Sequence, residues 1–223
     1  MPSGRSRSVP NDAILDDTKT PTTPTTPGTL LCPQRPKSVR EHAESAGHLL
    51  EPEWVGQRAL VRLGLGEPHF VGYAGPLDGP EDLFGAIAAE ARCETAIIDG
   101  VIVPDFQDEF ELEVDGQGSA VVRPTAGRTL FAAFDLLEID GLSLLTTPLL
   151  ERKRHLEGLF APSPTVRITP FVTRGLAAWH DTLKEQGFRR FVLKDPNSAY
   201  SAGQVAGSWL VIEKFGTTAR RGM

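Results

Sequence analysis

The sequence predicts an α+β fold, and three observations carry that expectation. Short apolar runs bounded by Gly and Pro turn signals recur along the chain, as at residues 95–103 and 130–139. Three segments with apolar residues at helical spacing are interleaved among those runs. Neighbouring strands are joined closely enough to pair antiparallel, and no internal repeat organises the order. At 223 residues, 40% hydrophobic and 23% charged, the chain supports one sizeable core, so one folded domain with a tail is expected.

Residues 1–36 are dominated by Ser, Thr and Pro, with Thr-Thr-Pro repeats at their centre. Such a composition buries too little apolar surface to offset the entropy of ordering it, so a disordered arm is expected there. The globular pattern spans residues 49–214. Its first strand, at residues 54–63, is rich in Val, Leu and Trp and stops at Gly64. Gly64, Gly66 and Pro68 make a turn, and residues 69–73 return. Pro80, Glu81 and Asp82 signal a helix start, after which Leu83, Phe84, Ile87, Ala88 and Ala91 recur at helical spacing. Residues 95–103 read as an apolar strand broken at Asp99-Gly100, and residues 110–114 and 119–123 as a hairpin around Asp115-Gly116. After a strand at 130–139, Thr147-Pro148 opens a second helix to about residue 160. A third runs over 174–186, with Leu176, Trp179 and Leu183 inward and Gly187 as its stop. Residues 188–194 and 209–214 are the last strands, and 215–223 a flexible tail.

Composition excludes several function classes. A net charge of -6 and a pI of ≈ 5.4 argue against broad phosphate neutralisation, which needs clustered Lys and Arg. Cys32 and Cys93 stand without CxxC or Cys/His spacing, so neither a disulfide framework nor a zinc site is suggested, and a reducing cytoplasm is expected. No stretch approaches the roughly 20 apolar residues of a membrane span, and the N-terminus lacks a signal-peptide apolar block. Arg152, Lys153 and Arg154 form the one dense basic run, which reads as a solvated helix face with DNA contact as the alternative. The five histidines lack ligand spacing, and His180 beside Asp181 reads as helix surface.

Three segments together resemble the adenylation domain of ATP-dependent DNA ligases. Phe131-Ala-Ala-Phe134-Asp135-Leu136-Leu137 is followed by Ile139-Asp140-Gly141 and then Pro148-Leu149-Leu150-Glu151-Arg152-Lys153, similar to the family's strand, Asp-Gly turn and Pro-Leu-x-x-Arg helix. Phe191-Val-Leu-Lys194 runs into Ser198-Ala-Tyr200, with Trp209 following, and Ile97-Ile-Asp99-Gly100-Val101 resembles the strand that carries Asp-Gly-Glu. The resemblance covers residues 49–214 and rests on order and spacing. It implies an ATP-grasp-like nucleotidyltransferase fold of antiparallel sheets and flanking helices. The family's closing OB-fold domain has no counterpart expected in the nine residues after Lys214.

The family's reaction is attack of a lysine amine on the α-phosphorus of ATP, chemistry that needs a neutral amine, neighbouring cations and metal. In its Lys-x-Asp-Gly-x-Arg, this chain has Glu53-Trp54-Val55-Gly56-Gln57-Arg58. Glu53 therefore occupies the nucleophile position and Val55 that of the aspartate, and no catalytic residue is expected. A carboxylate repels the triphosphate, and an acyl phosphate formed on it would be labile. The metal carboxylates of Asp-Gly-Glu and Glu-Gly-x-x-x-Lys become Val101 and Arg189, with Arg190 at the glycine, so no Mg²⁺ site is expected. The phosphate lysines of Trp-x-Lys-x-Lys become Val211 and Glu213, and Tyr73 stands where the family has an arginine. Arg58, Phe134 and Lys194 remain. The resemblance implies that Phe134 stacks on adenine while Arg58 and Lys194 meet ribose or phosphate. Plain packing of Phe134 and pairing of the two cations with neighbouring acids are the alternatives.

The exchanges reverse sign in a complementary way. Glu53 and Arg189 are expected to pair across the former cleft, and Glu213 to pair with Arg190 or Lys194. The expected function is thus a catalytically inactive, ligase-like binding or scaffold module with a protein partner and a link to DNA repair or recombination. The alternatives are a metal-independent ATP sensor and an active ligase with an unrecognised nucleophile.

Overall fold

The structure is a computed structural model that describes residues 30–43, 47–104, 110–114, 120–124 and 129–216. Its strands begin with β1 (Arg35–Ser38), β2 (Glu41–Ala43), β3 (Leu49–Pro52), β4 (Gln57–Leu63), β5 (Phe70–Gly72) and β6 (Gly75–Leu77). Helix α1 (Glu81–Glu90) precedes β7 (Ala96–Pro104), β8 (Phe110–Val114), β9 (Ala120–Pro124), β10 (Thr129–Ile139) and β11 (Leu142–Ser143). Helix α2 (Leu149–Leu159), β12 (Val166–Ile168) and α3 (Leu176–Glu185) follow, then β13 (Phe191–Lys194), β14 (Val205–Ile212) and β15 (Lys214–Gly216).

Two sheets form the body. One runs β11-β10-β7-β4-β5-β6, with β12 added to β10, and the other runs β1-β14-β13-β3. Most pairs are antiparallel, as expected, whereas β1 with β14, β10 with β12 and β2 with β15 are parallel. A cluster containing Leu49, Leu60, Val101, Phe134 and Trp209 joins β3 and β14 of one sheet to β4, β7 and β10 of the other. Helices α1 and α2 cover the far face of the larger sheet, packing Leu83, Ile87, Leu156 and Leu159 against Ile98 and Phe131. Helix α3 covers the far face of the smaller one, with Leu176 and Leu183 against Leu50 and Phe191.

This layering explains the run of apolar residues in β7. Ala96, Ile98 and Ile102 face the helices while Ile97, Val101 and Val103 face the other sheet, so both sides of the strand are buried. The expected break at Asp99-Gly100 does not occur, and β7 is continuous over nine residues. Gly100 is required instead by close packing: a Cβ there would strike the Phe131 ring and lie 2.6 Å from the Ala132 carbonyl oxygen. The three helices and the β8–β9 hairpin stand where the sequence places them, the hairpin's turn lying outside the described residues.

The expected boundaries shift at both ends. The arm was expected to run to Pro36, yet Leu30, Leu31 and Cys32 pack on the inter-sheet core and β1 pairs with β14 from Arg35. Phe215, expected in the tail, packs under α3, and β15 pairs with β2. Both corrections have one cause: short edge strands held by distant partners carry little local periodicity. Residues 1–29 and 217–223 lie outside the described residues.

Candidate functional site

The cleft between the sheets holds a cavity of ≈ 380 Å³ lined by β4, β13 and the segment between β3 and β4. Alternation places its residues. On β4, Ala59, Val61 and Leu63 face the helices, so Arg58 and Leu60 face the cleft. On β13 and the residue preceding it by one, Arg190, Val192 and Lys194 share the cleft face. On β10, Phe131 and Ala133 face the helices, so Ala132 and the Phe134 ring face the cleft while Asp135 meets α2.

Arg58 is clamped by Asp99, its Nε and Nη2 each 2.7 Å from a carboxylate oxygen. Tyr200 donates its hydroxyl to the same carboxylate at 2.6 Å. Burial would lower the guanidinium's proton affinity, but Asp99 outweighs it and the group is held above its ordinary value. The guanidinium carbon lies 4.3 Å from the Phe134 ring centroid. Lys194 Nζ lies 4.1 Å from that centroid and 3.9 Å from that of Trp209. Two cations therefore already sit over the aromatic platform.

Lys194 is also ion-paired, 2.7 Å from Glu51 Oε2, and Lys153 pairs with Glu51 Oε1. All three side chains are buried. Burial alone would raise the Glu51 carboxyl, yet Lys153 and Lys194 together hold it below its usual value. Burial pushes Lys194 down to about 8, with the Lys153 charge adding to the effect against Glu51. Lys153 further donates to the Phe134 carbonyl oxygen at 2.9 Å, which fixes the strand carrying the ring.

Glu53 pairs with Arg190, Oε2 to Nε at 2.9 Å, and its backbone N–H donates to the Arg190 carbonyl at 3.1 Å. Burial raises the Glu53 carboxyl despite Arg190 and Arg58. The expected partner, Arg189, is wrong by one residue. Arg190 shares the strand face of Val192 and Lys194, whereas Arg189 points to the groove on the other side of the 52–55 segment. Glu213 likewise lies past the end of β14 and reaches exposed Arg40 at 3.9 Å rather than Arg190 or Lys194. Val101 faces the cavity with 7% exposure, and Val55 on its wall is 61% exposed.

The basic run is not a surface either. Arg152 and Lys153 are buried and only Arg154 is exposed. Arg152 grips Asp135 through Nε at 2.8 Å and Nη2 at 2.7 Å, and Nη1 donates to the Ser198 carbonyl at 2.9 Å. His180, expected on the surface, is buried against Phe191 at a ring distance of 4.3 Å. Sequence reasoning missed Glu51 as a cleft residue and Lys153 as its buried partner. Their signal was two charges inside otherwise apolar element faces.

This arrangement of two sheets and three flanking helices is shared with solved ligases. Mycobacterial DNA ligase D, solved with ATP and MES, superposes with a TM-score of 0.61 at 21% identity, over 82% of this chain and 60% of that one. The chain has the nucleotidyltransferase fold of the ATP-dependent DNA ligases and is similar to them in that respect. Among curated relatives, the ligase-like chain is 29% identical over 161 residues to the multifunctional non-homologous end joining protein LigD of Mycolicibacterium smegmatis, covering 72% of this chain and 20% of that protein. It is 28% identical over 218 residues to a probable DNA ligase of Streptomyces coelicolor, covering 86% and 41%. The ligase-like chain thus spans less than half of either relative. No protein-family model matches it.

Proposed function

We propose that this ligase-like domain does not transfer adenylate and serves as a binding or scaffold module, with a link to DNA end repair suggested by the relative's role in end joining. The observation that carries this reading is the Glu53–Arg190 ion pair at the family's nucleophile position. The remaining cations support it. Arg58 is committed to Asp99 and Lys194 to Glu51, so a triphosphate entering the cleft must break buried ion pairs without gaining a nucleophile. Adenine must also displace a cation from the Phe134 ring.

Metal binding fits the residues poorly. Hard Mg²⁺ wants carboxylate oxygens, and the carboxylates at this cleft, Glu51, Glu53 and Asp99, are each held by Arg or Lys. Among the described residues no cluster of three or more His, Cys, Asp or Glu side chains is placed to hold an ion.

A second reading, metal-independent nucleotide binding through Phe134, Arg58 and Lys194, is favoured by one feature. Lys153 and Lys194 share a single carboxylate, which leaves one positive charge in excess beside a cavity of ≈ 380 Å³. Calorimetric titration with ATP, with and without Mg²⁺, separates the two. The module reading expects no binding tighter than about 1 mM, near -4 kcal/mol. Micromolar binding unchanged by chelator favours the sensor, and micromolar binding that requires Mg²⁺ contradicts both. No helix among the described residues is long and apolar enough to cross a membrane.

A further inference from the structure

Behind the wall formed by residues 52–55 lies a second and larger concavity, a groove of ≈ 1120 Å³. Its floor is apolar, built from Trp54, Phe160, Val166, Ile168, Pro170 and Phe188. One side is strand β12. Thr165 accepts from Phe131 and Thr169 donates to Ala133, so odd-numbered residues here bond to β10. The N–H and C=O of Ile168 consequently point away from β10, and among the described residues no strand pairs with that edge. An unpaired edge beside an apolar floor is a template for an added strand.

The groove also carries charge. Arg167 and Arg189 line it, both exposed and with no acidic partner among the described residues, while Arg190 is committed to Glu53. Glu157 lies on its lining as the acid not otherwise engaged. A fitting occupant is therefore a short extended segment with an apolar centre and acidic flanks.

The chain itself contains one. Asp12-Ala13-Ile14-Leu15-Asp16-Asp17 is an apolar triplet between carboxylates, set in an N-terminal region otherwise poor in large apolar residues. It is joined to Leu30, which packs on the inter-sheet core, by the Thr- and Pro-rich residues 18–29. Twelve such residues in extended polyproline geometry reach about 37 Å. A domain of this size has an expected radius of gyration of roughly 16 Å, so the tether's reach is comparable to the diameter of the domain.

We propose that residues 12–17 dock in this groove as a strand on the free edge of β12, setting Asp12 and Asp16, which share a strand face, against Arg167 and Arg189, with Asp17 adding to the negative charge at that end. The tether makes the contact intramolecular, with an effective concentration in the millimolar range, so weak intrinsic affinity suffices.

Hydrogen exchange of the full chain tests this at the Ile168 amide. Removing residues 1–17 should speed exchange there at least tenfold and leave the core strand β7 unchanged. Triple reversal, Asp12→Lys with Asp16→Lys and Asp17→Lys, should do the same, and adding Arg167→Glu and Arg189→Glu should restore protection. A synthetic peptide of residues 10–18 should re-protect the truncated chain at millimolar concentration. Equal exchange in the full and truncated chains overturns the proposal, as does protection that grows with protein concentration, which would assign the groove to a second copy.

Discussion

At the scale of single residues, the positions that carry the likeness to ligases divide by their chemistry. Those that survive hold the fold together: Arg58 with Asp99, Asp135 with Arg152, and Tyr200 on Asp99. Where the sequence resemblance would place reactive or ligating groups, this chain has Glu53, Val55, Val101, Arg189 and Val211, and of these Arg189 turns out to lie outside the cleft. The buried charges are then expected to matter for stability in proportion to their burial. Glu51→Gln leaves two buried lysines without a counterion and should cost about 3–5 kcal/mol in urea unfolding, whereas Glu53→Gln at the half-open Arg190 pair should cost less than about 1 kcal/mol. The pH dependence follows from Lys194. Its folded value of about 8 lies below the unfolded 10.5, so the unfolded chain binds the extra proton across that window and stability rises as pH climbs through it. Contacts with the Phe134 and Trp209 rings favour the charged form, so the rise should stay below about 3 kcal/mol. Urea midpoints measured at pH 7.5 and 10 check it, and Lys194→Met should abolish the difference. The sequence named Arg58, Phe134 and Lys194 as neighbours but not their counter-charges. The pairing of Lys194 with Glu51 joins residues 143 positions apart in the chain, which no local pattern encodes.

At the scale of elements, the long strands and all three helices were legible because their apolar faces are complete. Strand β10 alternates between two cores, and α1 buries Leu83 and Ile87 one turn apart. The strands that were missed, β1, β2, β3, β6, β11, β12 and β15, have two to four residues each, too few for a period to show. The one-residue error at Arg189 has the same origin, since parity on β13 is set by where that short strand begins. Helix α2 misled for another reason: a basic run is read as solvated, but Arg152 and Lys153 face β10 and β3 and find buried acids there. Arg152→Ala should therefore strand buried Asp135 and lower stability by about 3–5 kcal/mol, while Arg154→Ala should change it by less than about 0.5 kcal/mol. Thermal unfolding of the two variants makes that comparison. Gly100→Ala should destabilise by roughly 1–3 kcal/mol, because β7 and β10 must separate to admit the methyl group.

At the scale of the whole molecule, two sheets close on a cleft with an aromatic floor and with its charges turned upon one another. An acidic surface over a core that has absorbed the densest basic run offers little to a phosphate backbone. Duplex DNA at roughly 0.15 M salt should accordingly bind no tighter than about 10⁻⁴ M in a gel-shift titration, and nanomolar retention would contradict this account. The central claim, that the cleft no longer transfers adenylate, is tested most directly by incubating the protein with α-labelled ATP and Mg²⁺ and running a denaturing gel. A Glu53→Lys, Val55→Asp variant is run beside it. The account predicts no covalent label on either, because Val101 still faces the cavity and Arg58 and Lys194 remain committed to Asp99 and Glu51. Label on the unaltered chain would show a working nucleophile and contradict it.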